Sequence, residues 1–382
     1  MSVRRGKEMR RSYGFHEVAI VPCDASINPE QTNTDLKMGD LTLSLPILAA
    51  AMDAVVDPDF AVLLSKLGGL AVMNLEGVQT RYDNPAEVLN DIVQAPADQV
   101  TTLLQKVYSN PIRDELVAER VRQIKGKGGT CAVSVTPANT KRFASVIAEA
   151  GADVLVVQST VTTARHFSKS PKGLVFSELR KSVGIPVVVG NCVSYSAALA
   201  LMRTGIDAIL VGVGPGATCT TRQVLGIGVP QVTATIDCAA ARDQYFEETG
   251  KYVAVITDGG MHSGSDICKA FAAGADGVML GAMLAQAQEA PAKGYHWGMA
   301  SPHPALPRGK RIKVETRAPL EKILFGPSTV SDGTQNLIGA LQTAMGVCGA
   351  ATLAEFHQAE MVIAPSITTE GKSWQLQELY SQ

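Results

Sequence analysis

No charge of either sign dominates this chain of 382 residues: 34 basic against 36 acidic residues leave a net charge of −2, and no block of like charge is long enough to hold nucleic acid or an anionic membrane. The expected partner is a small molecule. Long apolar runs are missing too. The opening "MSVRRGKEMRR" is basic but leads into "SYGFHEVAI", which fits neither a signal peptide nor a membrane span, so a cytoplasmic protein is expected. Paired cysteines are also absent: Cys23, Cys131, Cys192, Cys219, Cys238, Cys268 and Cys348 form no CxxC and no Cys/His ligand spacing. An odd count in a reducing compartment implies free thiols, with all but Cys219 expected as small core residues.

What the chain does have is a series of short apolar runs separated by longer amphipathic segments. In order they are "PILAAAM" (46–52), "GLAVMN" (69–74), "CAVSV" (131–135), "VLVVQS" (154–159), "PVVVGN" (186–191), "AILVGV" (208–213), "VAVITDG" (253–259) and "GVMLGA" (277–282). Each is too short for a buried helix and reads as a buried parallel strand. The phrases "IAEAGADVLVV", "LMRTGIDAILV" and "AFAAGADGVML" repeat one grammar, a helix ending in glycine and then a strand. A (βα)₈ TIM barrel follows, one domain over residues 1–382 with its core at about 40–355. The longest gap, 75–130, has helical pieces around 84–124 and no sign of an inserted regulatory module.

Barrels place their chemistry after the C-terminal ends of the strands. After the sixth run stands "VGVGPGATCTTRQ", a glycine-rich loop around one cysteine, which is where a nucleophile would be presented to a ligand approaching closely. "TDGGMHSG" and "LGAM" follow runs seven and eight, where glycine amides can hold a phosphate. Asp258 is placed either to accept hydrogen bonds from a ribose diol or to cap a turn.

The glycine–cysteine loop, "DGGMHSGSDICKAFAAGADGVMLGAML" (258–284), "VVVGNCVSYSAALALMRTGIDAILVGVG" (187–214), "WGMAS" (297–301) and "IGALQTAMGVCGAATLAEF" (338–356) together resemble the IMP dehydrogenase and GMP reductase family, in particular its dehydrogenase-related third branch. The resemblance implies a purine nucleoside monophosphate ligand (GMP or IMP), a nicotinamide cofactor (NADPH, NADH or NAD), and a homotetramer or dimer of tetramers. It makes Cys219 the nucleophile that forms a thioimidate at purine C2, with Thr221 assisting. It assigns the substrate to Met52, Asn191, Ala217, Thr218, Asp258, Gly259, Gly260, Gly281, Ala282, Gly298, Met299 and Ala300. The cofactor falls to Gln158, Ser159, Gly212 and Gly214, and a monovalent cation such as K+ to the carbonyls of Gly214, Gly216 and Cys219.

Several positions depart from the family pattern. Ala217 and Ala282 stand where serines commonly face the phosphate, and Gln158 with Ser159 stand where dehydrogenases carry an aspartate toward the cofactor. The dehydrogenases also need a base to hydrolyse the thioimidate, an Arg-Tyr pair on a long flap. Between "WGMAS" and "GKRIKVE" this chain has only the seven residues "PHPALPR", and no Arg-Tyr pair occurs between Trp297 and Gly326. GMP reductase is therefore the expected activity, with IMP dehydrogenase or a nucleotide-binding barrel without turnover as alternatives. The glutamate that reductases place before a Gly-Lys pair is here Arg308, which leaves His303 and Thr221 as candidate proton donors to ammonia. An aldolase would need a lysine at a strand end, and neither Lys251 nor Lys269 is placed there.

Overall fold

The computed structural model describes residues 9–166, 174–299 and 310–364. Its centre is a closed barrel of eight parallel strands, β1 Ile47–Ala49, β2 Leu70–Asn74, β3 Ala132–Val135, β4 Val154–Gln158, β5 Val187–Cys192, β6 Ala208–Val211, β7 Ala254–Asp258 and β8 Gly277–Leu280. Neighbours in sequence are neighbours in the barrel, and β8 returns to pair with β1. All eight apolar runs of the sequence are strands. Their side chains point alternately inward and outward, and because both faces are covered the runs read as continuous Val, Ile and Leu.

The recurring helix–Gly–x–Asp–strand phrase has a physical reason at each step. Gly151, Gly205 and Gly274 end their helices at φ of 90°, 79° and 103°, a backbone region that disfavours a side chain. Two residues later, Asp153, Asp207 and Asp276 accept backbone amides at the entrance of the preceding strand, from Cys131 (2.7 Å), Val187 (2.8 Å) and Val255 (2.8 Å). Each aspartate also meets a cation from the helical layer, Lys125, Arg180 or Arg242. One short motif thus stops a helix, turns the chain and pins adjacent strands in register.

The bottom of the barrel is closed by the hairpin Leu36–Met38 with Leu41–Leu43. Leu36, Met38 and Leu43 join inward residues such as Leu48, Val72, Val156, Leu210, Ile256 and Met279 in one buried cluster. The long connection between β2 and β3 contains the helices Pro85–Gln94, Val100–Ser109 and Asp114–Gly126 and, among the described residues, no strand. The first two pack with Trp297 and Ala54 in a satellite cluster beside the barrel mouth. Val18–Ile20 pairs antiparallel with Met361–Ile363 and joins the two ends of the described chain.

The cysteine expectation is met only in part. Cys131, Cys192, Cys238 and Cys268 are buried, but Cys348 is half-buried and Cys23 is exposed, because Cys23 falls just beyond the strand Val18–Ile20 on the outer surface. Among the described residues, no helix is long and apolar enough to cross a membrane.

Met38 is fully buried inside the barrel. Met38→Ala should lower unfolding free energy by about 2–5 kcal/mol through lost burial and the cavity left behind. Chemical denaturation followed by circular dichroism checks this, and an unchanged midpoint would mean that the hairpin does not carry the barrel floor.

Candidate active site

The strand ends bring most of the expected site residues to one rim. Met52 follows β1, Gln158 and Ser159 end β4, Asn191 is in the last turn of β5, the Gly212–Thr221 loop follows β6, Asp258–Gly260 end β7, and Gly281–Ala282 follow β8. Ala300, His303 and Arg308 lie outside the described residues.

At the centre of the rim is a polar triad. Asn191 Nδ2 donates to Asp258 Oδ2 at 2.8 Å, and Gln158 Nε2 donates both to Asp258 Oδ2 (3.2 Å) and to Asn191 Oδ1 (3.0 Å). Burial pushes the Asp258 carboxyl up to about 6, against the opposing effect of the Asn191 and Gln158 hydrogen bonds. Gln158, expected to face the cofactor, therefore has its amide turned to the same carboxylate as Asn191. Ser159 Oγ donates to Val161 O (2.9 Å) and lies 2.9 Å from the Thr162 hydroxyl, so it is engaged within its own loop.

The cysteine loop is held from three sides. Cys219 N donates to Gly216 O at 3.0 Å and closes the turn that carries the thiol. The Cys219 Sγ donates to Thr221 Oγ1 at 3.2 Å, so thiol and hydroxyl form a pair just before the short helix Thr221–Leu225. Cys219 is half-buried, whereas Thr221 is 2% exposed. Arg222 reaches back across the loop, donating from Nε to Val213 O (3.0 Å) and from Nη2 to Val229 O (2.6 Å). The arginine after the two threonines is thus the staple of the loop.

Gln231, one turn further on, donates to Val211 O (2.5 Å) and Asp258 O (3.2 Å), tying the end of β6 to the end of β7. A side chain on Gly212 would run into Asp258 O, so that glycine permits the two strand ends to close up. Gly260 has φ +81°, and a Cβ there would lie 3.0 Å from Pro215 Cβ. The β7 loop and the cysteine loop are therefore in contact. Gly281 plays a similar part at β8, where an added Cβ would come within 2.8 Å of Met52 Sδ. Of the loop glycines, Gly216 has none of the described residues within 4 Å of an added Cβ.

Sequence reasoning missed a second buried network. Tyr108 donates to Asp53 Oδ2 (2.8 Å), Val78 N donates to the same oxygen (2.8 Å), and Trp297 Nε1 donates to Tyr108 Oη (2.8 Å). The Tyr108 hydroxyl also lies 3.4 Å from Met299 Sδ. This network fixes the approach to Gly298 and Met299 on the helical insert. Asp53 stands next to Met52 in sequence, which was its one available signal.

Residues 12–373 match the family described as the IMP dehydrogenase / GMP reductase domain. The chain belongs to that family. A Mycobacterium tuberculosis protein named as an uncharacterized oxidoreductase is 37% identical over 373 residues, 95% of this chain and 99% of its own length. The inosine-5′-monophosphate dehydrogenase of Cryptosporidium parvum is 26% identical over 400 residues, 96% of this chain and 94% of its own. The crystal structure of an IMP dehydrogenase/GMP reductase-like protein from Corynebacterium glutamicum superposes with a TM-score of 0.88 at 34% identity, over 95% of this chain and 97% of that one. The protein is accordingly an oxidoreductase of the IMP dehydrogenase / GMP reductase family, which acts on purine nucleoside monophosphates with a nicotinamide cofactor.

A free aspartate titrates near 4, whereas the environment of Asp258 holds its proton to about pH 6. In difference infrared spectra against Asp258→Asn, the protonated carboxyl band should disappear with a midpoint near 6 as pH rises. A midpoint below 4 would contradict the burial of this group.

Proposed function

We propose that this protein reduces GMP to IMP and ammonia with NADPH, through a covalent purine adduct on Cys219. The observation that carries the reading is the geometry around Trp297. Tyr295 pairs with Lys313 and His296 with Ile312, so the chain joining these two strands is limited to residues 297–311. Its sequence, "WGMASPHPALPRGKR", contains no tyrosine and so no Arg-Tyr base. Expelling ammonia and accepting hydride does not require water to be activated, whereas hydrolysing a thioimidate does.

In this reading the Cys219 sulfur adds to C2 of the purine, the 2-amino group takes a proton and leaves as ammonia, and a thioimidate remains. The cofactor supplies the hydride that arrives at C2. The C2–S bond then breaks and the thiol is restored. Thr221, 3.2 Å from the sulfur, is placed to relay the proton. Asp258, oriented by Asn191 and Gln158, accepts the ribose hydroxyls, and the amides of Gly260 and Gly281–Ala282 receive the 5′-phosphate, Gly259 N being held by Met279 O at 3.2 Å. The space beside Gly216, free of the other described residues, fits the close approach of a flat nicotinamide ring beside the sulfur. The carbonyls of Gly214, Gly216 and Cys219 are assigned a monovalent cation such as K+, although Gly216 O already accepts the Cys219 amide.

Cys219→Ala should abolish turnover while nucleotide affinity stays within a few-fold of wild type, since the phosphate and ribose contacts remain; substantial residual activity would sink covalent catalysis. Steady-state rates in both directions test the choice of reaction. With general-base help worth ~10²–10⁴-fold, GMP plus NADPH should turn over faster than IMP plus NAD. Ready formation of xanthosine monophosphate with inert GMP would make the protein an IMP dehydrogenase with a different base.

A further inference from the structure

The helices Gly264–Ala272 and Leu337–Val347 touch at their first turns. A Cβ on Gly264 would come within 2.8 Å of Ala340 Cβ, and Gly264 N donates to Gly333 O at 2.8 Å. Beside that contact, with Ala19 and Ile20 as a further wall, is a cavity of about 650 Å³. Residues four apart face it from both helices, Ser265 and Lys269 from the first, Ala340 and Ala344 from the second. The volume is within the roughly 300–1,000 Å³ of small-molecule sites. None of the lining residues belongs to the candidate active site.

The lining offers hydrogens and contains no acidic side chain. Lys269 is 8% exposed; among the described residues it has one hydrogen bond, to Phe15 O at 2.8 Å, and no ion pair. A buried ammonium without a counter-ion is costly, and burial pushes the Lys269 amine below its ordinary value, against an opposing effect of Asp266. Asp266 is not part of the lining and accepts from His262 N at 2.9 Å. Gln335 is 7% exposed. Its Oε1 accepts from Thr329 N at 3.0 Å and from Thr329 Oγ1 at 3.3 Å, which fixes the amide and leaves Nε2 without a partner among the described residues. Asn336 is held in the same way: its Oδ1 accepts from Gly339 N at 3.2 Å, and its Nδ2 has no partner among the described residues.

The hydroxyls of Ser265 and Thr343 also line the cavity and make no hydrogen bond among the described residues. Together with the spare hydrogens of Lys269, Gln335 and Asn336, these donors exceed what one carboxylate, with about four lone-pair sites, can accept. They suit the three terminal oxygens of a phosphate, and the start of the helix Leu337–Val347 adds the positive end of its dipole. The apolar remainder, Ile20 with Ala340 and Ala344, gives an organic group a surface to lie on. We propose that this cavity is a second ligand site, taking a phosphate monoester whose phosphate is met by Lys269, Gln335 and Asn336 and whose organic part lies against Ile20 and Ala344. It is independent of the purine chemistry assigned to the barrel mouth.

Carbamoylation of Lys269 by cyanate, followed by peptide mass spectrometry, reads this site and not the barrel mouth. Relative to chloride at equal ionic strength, saturating inorganic phosphate should slow modification of Lys269 by about tenfold or more, because a bound anion holds the amine protonated and shielded. The exposed Lys37 and Lys313 should change by no more than about twofold. Phenyl phosphate should protect at lower concentration than inorganic phosphate, and acetate should protect less than either. Gln335→Leu and Thr343→Val, which leave Lys269 in place, should each raise the phosphate concentration needed for protection. The wild-type comparison needs no variant, so it stands even if one of these folds poorly. Phosphate that protects no better than chloride, or protects both variants as well as the wild type, overturns the proposal. Acetate as effective as phosphate, or phenyl phosphate no better than inorganic phosphate, overturns the assignment to a phosphate monoester.

Discussion

The Asn191 amide crosses the mouth of the barrel to the Asp258 carboxylate at 2.8 Å, from β5 to β7, with β6 between them. The rest of the site is arranged around that span. The chain leaving β6 has to rise beside the Asp258 backbone, and Gly212 permits it because any side chain there would collide with Asp258 O. Gln231 then locks the same two strand ends together through Val211 O and Asp258 O. The loop carrying Cys219 is thus anchored at its root to the strand that bears the carboxylate. Arg222 closes the loop from Val213 to Val229, and Pro215 touches the β7 glycines. The cysteine loop and the Asp258–Gly260 turn thus form one mechanically connected unit, the kind of rigid support that positioning of reacting groups requires.

Burial has different consequences at two titratable side chains, Asp258 and His296. Asp258 is raised to about 6 yet keeps two donors, so it stays ready to ionise near neutral pH and accept hydroxyl donors. Among the described residues His296 has no hydrogen-bond partner, and burial pushes its imidazole down to about 4.

The barrel was legible because its strands are buried on both faces and so appear as short unbroken apolar runs, each followed by glycine or a polar turn. The cysteine loop and Asp258 were legible because strand order puts them at strand ends, whereas Asn191 was expected only from the family resemblance; its contact with Asp258 needed the closed barrel. What tied them was not legible. Arg222 and Gln231 act through carbonyls that every residue has, so no side-chain pattern points to their partners. The contact of Asp53 with Tyr108 spans 55 residues of sequence and depends on how the helical insert folds back. Gln158 was expected toward the cofactor, but its amide is directed by the neighbouring Asn191 and Asp258, which only the closed barrel places within reach.

The central claim is reductive chemistry at purine C2 on Cys219, and isotope transfer tests it most directly. GMP is incubated with NADPH deuterated at C4 of the nicotinamide, using the cofactor labelled on either face, and the nucleotide product is read by proton NMR and mass spectrometry. The account predicts IMP with one deuterium at C2 from one of the two labelled cofactors, and no such product with Cys219→Ala. Unlabelled product from both cofactors, or labelled IMP formed equally well by Cys219→Ala, would contradict it.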